Sequence, residues 1–188
     1  FNGKKVFASN TLFRATANTI INMETNSNFI VDNNSILRME TGSTLNIANG
    51  ATVRVKRGGR LELQTGCVIN VADGGKIIIE EEAATNNDGW LVYFPNARIN
   101  LNGTNAQVEI AGFLDIQNNA TFTTSSTANI NSTLGSVKFS STDVPSQNIL
   151  VGTGCKFIIQ TERQLWRQMQ ESRRLSAIPV QLNLSMLS

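Results

Sequence analysis

The sequence predicts an all-β chain, a three-faced (triangular) parallel β-helix with about 24 residues per turn and one C-terminal α-helix as a cap. Three observations point there. An eight-residue unit recurs without interruption from Thr19 to Glu82, as TIINMETN, SNFIVDNN, SILRMETG, STLNIANG, ATVRVKRG, GRLELQTG, CVINVADG and GKIIIEEE. Its third position (Ile21, Phe29, Leu37, Leu45, Val53, Leu61, Ile69, Ile77) and its fifth (Met23, Val31, Met39, Ile47, Val55, Leu63, Val71, Ile79) are apolar in all copies. Residues three units apart, finally, carry opposite charges.

Each of these fixes part of the architecture. Apolar residues separated by one polar residue make a short strand with one face buried, and the Gly, Asn and small residues between units make corners. A meander of hairpins uses longer strands whose pairing varies, whereas identical short units favour coiling, each strand lying on its own copy in the next turn. Stacked residues lie only about 4.8 Å apart, so charge decides how many units make a turn. Two units per turn stack Glu24 on Glu40 and Arg38 on Arg54, like on like. Three give the columns Asp32–Lys56–Glu80, Arg38–Glu62 and Arg57–Glu81, with alternating signs. They also align Asn22, Asn46 and Asn70, whose side-chain amides can bond in a ladder.

Residues 83–88 (AATNND) break the frame and read as a loop inserted at one corner. The units resume at Gly89 (GWLVYFPN, ARINLNGT) and, after one additional residue, run on to Thr142. If the loop is a pure insertion, Asn100 joins the asparagine column and Asp115 falls below Lys138. Asp143 to Gly154 is irregular, and Cys155 to Thr161 supplies a last strand. Thr161 to Ser176 then reads as a helix: Thr161 and Gln164 form a capping box, and Leu165, Trp166, Met169 and Leu175 share one side. An open solenoid end exposes core and unpaired strand edges, which an amphipathic helix can cover. The tail alternates again at Val180, Leu182, Leu184 and Met186 beyond Pro179. The domain reading is residues 1–160 as β-helix, with the 83–88 insertion, and 161–188 as capping helix and tail.

The chain has 188 residues, a formal charge of +2 and no histidine. That length suits one domain. So small a charge gives no reason to expect nucleic acid or an anionic membrane as partner. No apolar run is long enough to span a bilayer, and the chain starts at Phe1 without a signal segment, so a soluble, processed or excised piece of a longer protein is expected. Without histidine the commonest general base and metal ligand are missing, and two cysteines, Cys67 and Cys155, make neither a disulfide framework nor a zinc site. No cofactor or metal is expected. Both cysteines take the small first position of a unit and read as corner fillers.

The stretches GSTLNIANGATVRVKRGGRLEL and GGKIIIEEE resemble the parallel β-helix segments of secreted surface proteins and adhesins of Bacteroidetes-type bacteria. At fold level the chain is similar to filamentous-haemagglutinin-type adhesins and phage tailspikes, over Thr19 to Thr161. IPVQL (Ile178 to Leu182) resembles the junction that precedes sorting domains in proteins exported by the type IX route. The resemblance implies a right-handed coil, an extracellular or cell-surface location, and a role in adhesion or in a surface fibre.

Pectinase-like β-helices are enzymes, so carboxylates sharing a face need weighing. Asp32 and Glu80 flank Lys56 two turns apart, marginally compatible with an inverting acid and base pair. Lys56 between them favours both anions, whereas a general acid needs a raised pKa, so a charge-neutralising column is the favoured reading. The acidic run Glu80, Glu81, Glu82 with Asp88 is a calcium candidate by composition and a solvated loop by the lack of any calcium-loop pattern. Trp90, Tyr93 and Phe94 are the densest aromatic group; in the unit frame Tyr93 points inward, and Trp90 and Phe94 outward, where they can stack on sugars or pack the loop. The Ser and Thr cluster from Thr121 to Thr133 lacks the repeated Thr-x-Thr array of ice-binding solenoids. Arg163, Arg167, Arg173 and Arg174 read as a solvated helix face. The leading expectation is a non-catalytic structural or adhesive solenoid, with glycans or other surface components as partners and end-to-end self-association as a further possibility. A polysaccharide lyase or hydrolase, including a tailspike depolymerase, is the alternative.

Overall fold

The computed structural model describes residues 1–82, 87–123, 130–131, 135–139, 149–154 and 156–158. The capping helix, the tail, Cys155 and most of the Ser and Thr cluster expected from the sequence lie outside the described residues, as do 83–86 of the loop.

The strands follow the repeat. They are β1 (Lys4–Val6), β2 (Leu12–Ala15), β3 (Ile20–Met23), β4 (Asn28–Val31), β5 (Ile36–Met39), β6 (Thr44–Ile47), β7 (Thr52–Val55), β8 (Arg60–Leu63), β9 (Val68–Val71) and β10 (Lys76–Ile79). After the insertion come β11 (Trp90–Tyr93), β12 (Arg98–Leu101), β13 (Gln107–Ile110), β14 (Phe113–Ile116), β15 (Thr121–Thr123), β16 (Ile130–Asn131), β17 (Ser136–Phe139), β18 (Ile149–Val151) and β19 (Lys156–Ile158). Seventeen of these strands form three parallel sheets, the arrangement of a three-faced parallel β-solenoid, and β15 pairs with β19 apart from them. Sheet A runs β1-β4-β7-β10-β13-β17, sheet B runs β2-β5-β8-β11-β14-β18, and sheet C runs β3-β6-β9-β12-β16. All pairs are parallel, which no hairpin meander allows.

Register reports how the insertions are absorbed. Asn22 faces Asn46 and Asn46 faces Asn70, each 24 residues on. Across the insertion the offset becomes 30, as Asn70 faces Asn100, and the strand faces stay aligned. The extra corner carries the added residues, because moving a strand by one position would turn its whole apolar set outward.

Two expectations need correcting. Asp115 lies between Val92 and Leu150, not below Lys138, which sits beside Glu109. The cause is β15, which pairs with β19 in a separate two-stranded sheet and so takes one beat out of the three-beat count. The stretch from Asp143 to Gly154, read as irregular, contains β18, whose three apolar residues extend sheet B.

Inward positions form unbroken apolar columns. Leu37, Leu61, Leu91 and Leu114 stack in one, each fully buried, and Met39, Leu63, Tyr93 and Ile116 in its neighbour. Tyr93 fits because its hydroxyl donates to the Ala97 carbonyl at 2.6 Å, and its ring meets Phe122 edge-on. Outside sheet C, Nδ2 of Asn46, Asn70 and Asn100 donates to Oδ1 of Asn22, Asn46 and Asn70 at 2.7, 2.9 and 2.8 Å. Each inner amide gives one bond and takes one, the ladder anticipated from the sequence. Corners use left-handed residues, Asn or Gly at most turns, and the Asn26 amide nests under Gly50, where a Cβ would clash with it.

Removing Leu61 methyls leaves a void between two identical neighbours, so Leu61→Ala is expected to cost about 2–5 kcal/mol in urea unfolding. Asn46→Ala, which breaks two half-exposed ladder bonds, is expected to cost about 1–2 kcal/mol. A reversed order of the two would contradict a core-dominated solenoid.

Candidate functional site

The catalytic candidates Asp32, Lys56 and Glu80 each stand one residue past a sheet A strand, at the corner where the chain turns toward sheet B. The corner brings them near one another but does not leave them free. Asp32, 4% exposed, takes a hydrogen bond from Arg57 Nε at 2.6 Å, a second from Arg57 Nη2, and one from the Asn33 amide at 2.8 Å. The Arg57 hydrogen bond is the main reason its pKa is lowered, with burial opposing and the charge of Lys56 adding a smaller pull. Glu80 is bound by Arg54 and lies 3.7 Å from Lys56 Nζ. The lowered pKa of Asp32 is the opposite of what a general acid requires, and Glu80 is engaged by two cations.

The alternation of sign across turns is present in Arg38–Glu62, at 2.6 Å, in Arg14–Glu40, and in Lys138–Glu109, at 3.3 Å. Arg57 departs from the sequence reading: its partner is Asp32 in the turn below, 25 residues back, not Glu81. Its backbone φ of +43° swings the side chain off its own column, onto the diagonal neighbour. Equal spacing along the sequence cannot show that.

The acidic run disperses in the same way. Asp88 is buried, its Oδ1 accepting the Glu82 amide at 2.7 Å and its carbonyl accepting the Gly58 amide at 3.0 Å. Among the described residues no group of three acidic or cysteine side chains is placed to hold a metal ion.

Trp90 and Phe94 are both half-buried, on β11 and at the corner after it. Trp90 lies in an outer column of sheet B, between Arg60 of β8 and Phe113 of β14. Phe113 stacks on it at 4.3 Å and 15°, and the Arg60 guanidinium carbon is 5.0 Å from its ring centroid. Because β11 lies between those strands, the two partners take opposite ring faces, and an edge is what remains for a ligand. Sequence reading missed Arg60 and Phe113; the signal was the register, in which Trp90 faces Phe113 only 23 residues on. Beside them, burial raises the pKa of Asp115 against the pull of Gln117 and Arg60.

Cys67 is fully buried and its thiol is pushed up to about 12 by desolvation, the state of an inert filler. Among the described residues no helix is long and apolar enough to cross a membrane.

The two aspartates make opposite predictions. Asp32, with its folded pKa lowered, contributes stability that is present above the unfolded value and is lost as pH falls through the folded one. Asp32→Asn is therefore expected to cost about 1–2 kcal/mol at neutral pH and nothing in acid, the small figure reflecting the exposed Arg57. Asp115, with its folded pKa raised, disfavours the fold as pH rises through that value, so Asp115→Asn is expected to raise Tm at pH 7 and to leave it unchanged below about pH 3.9. Thermal melts of both variants across pH check the signs.

Compared with protein-family models, curated proteins and solved structures, the chain gives no significant match.

Proposed function

We propose that this chain is a non-catalytic structural or adhesive β-solenoid of an extracellular protein, a right-handed, three-faced rod with turns of about 24 residues where uninterrupted. The observation that carries it is the state of the carboxylates. Asp32 and Glu80, the pair whose stacking two turns apart is marginally compatible with an inverting glycoside hydrolase, are each tied up by arginine, and Asp32 is shifted away from acid chemistry. What the outer columns offer instead is neutralised charge and amide ladders, which stiffen a rod without doing work on a substrate. The exterior location rests on the resemblance to bacterial surface β-helices alone.

Incubation with a panel of acidic and neutral polysaccharides is expected to release no new reducing ends. Release that disappeared in Asp32→Asn or Glu80→Gln would establish the depolymerase alternative in its place.

End-to-end assembly into a fibre is a second reading, favoured by where the apolar surface lies. Val6, Leu12, Phe13 and Ile20 are exposed, and all belong to β1, β2 and β3, the first strands of their sheets. Ile149 and Leu150 are exposed on β18, at the other end of sheet B. Parallel edges with no partner strand among the described residues, flanked by apolar side chains, are surfaces that stack. Sedimentation velocity is expected to show concentration-dependent growth that the double variant Phe13→Lys, Ile20→Lys abolishes. A wild-type chain that stays a single discrete species at high concentration would count against the fibre.

A further inference from the structure

The corner between sheets A and B carries a groove of about 430 Å³ lined by Ser9, Asn10, Asn33, Asn34, Arg57 and Asn87. It climbs four successive turns. The Asn10 amide donates to the Asn33 carbonyl, Asn34 to Arg57, and Gly58 to Asp88, at 2.9, 3.1 and 3.0 Å, so each corner hangs on the next. Gly58, with φ of +72°, has no side chain to fill the space; a Cβ there would run into the amides of both Asn34 and Asn87, which converge over it. The insertion at 83–88 is what brings Asn87 to this place.

These asparagines differ from the ladder on sheet C. There each side-chain amide is bonded to its neighbours. Here the side chains of Asn10, Asn33, Asn34 and Asn87 are exposed and bond to no described residue. Arg57 uses Nε and Nη2 on Asp32, and its Nη1 donates to no described residue. The left-handed corner explains why Asn occupies positions 10, 33 and 34, with φ of 57°, 49° and 59°. It does not explain Asn87, nor the convergence of amides from separate turns into one groove.

We propose that this groove binds a neutral oligosaccharide. Side-chain amides and a guanidinium edge offer paired donors and acceptors, which match vicinal hydroxyl groups. Asp32 cancels the charge of Arg57, so the groove gives an anionic ligand no net attraction. None of the lining residues is apolar, so a peptide side chain finds no pocket, and the corner has no free strand edge to which a peptide could add. Four turns at about 4.8 Å each make a run longer than a single sugar ring can occupy. Trp90, with both ring faces covered, is a poorer platform. The inference deepens the adhesive reading above and rests on it.

The test is a titration of the full-length ¹⁵N-labelled protein with millimolar maltohexaose, mannohexaose or chitohexaose, with a neutral alanine–asparagine peptide as control. At least one sugar is expected to shift the side-chain amide signals of Asn10, Asn33, Asn34 and Asn87 while those of Asn46 and Asn70 stay put. The double variant Asn33→Gly, Asn34→Gly keeps the left-handed corner and removes two amides, and is expected to weaken binding about tenfold or more. The proposal is overturned if no sugar moves the groove signals, if the shifts centre on the Trp90 indole, if only the peptide binds, or if the glycine variant binds as the wild type does. Reducing ends measured on the same samples separate the two readings. Binding with cleavage would end the non-catalytic reading and leave the groove standing, whereas neither binding nor cleavage would end the groove alone.

Discussion

The register of parallel backbone hydrogen bonds between successive turns is the constraint on which the rest of the structure depends. Because each strand lies over its own copy, like side chains stack on like at strand spacing, and the fold must make that stacking favourable column by column. Inside, apolar residues do so by filling one continuous core from Ala15 to Phe122. Outside, Arg38 faces Glu62, Arg14, which stacks on Arg38, reaches off its column to Glu40, and the asparagine column bonds to itself. Corners face a harder problem, since the chain must turn tightly about every eight residues, and left-handed Asn and Gly meet it.

The same constraint accounts for the pairing of the carboxylates weighed for catalysis. A carboxylate in such a column lies within reach of the turns above and below, and a cation there serves both. Asp32 and Arg57 are such a pair, as are Glu80 and Arg54. A catalytic acid would need a gap in that compensation. Asp115 comes nearest: its neighbours in register are Val92 and Leu150, and burial raises its pKa.

Much of this was legible in the sequence because stacking converts spacing into contact. The octet gave the strands, the apolar columns gave the core, and the position of Asn100 after an insertion of six residues and before Asn105 put it on the ladder, where it is found. What escaped was anything that leaves the column. Arg57 reaches diagonally to Asp32 because its backbone is left-handed. Phe113 meets Trp90 through a shortened offset, and β15 steps out of the three-beat order altogether. The corner groove was invisible for the same reason, since Asn10, Asn34 and Asn87 come together through turn geometry and the loop, and only the first two keep the repeat spacing.

The most direct test of the stacking is detection of the hydrogen bonds themselves by through-bond nitrogen–carbonyl couplings in a deuterated, labelled sample. The account predicts couplings from the Thr44 amide to the Thr19 carbonyl, from Val68 to Ser43 and from Arg98 to Cys67. Couplings that instead join neighbouring octets, in the antiparallel pattern of hairpins, would contradict it.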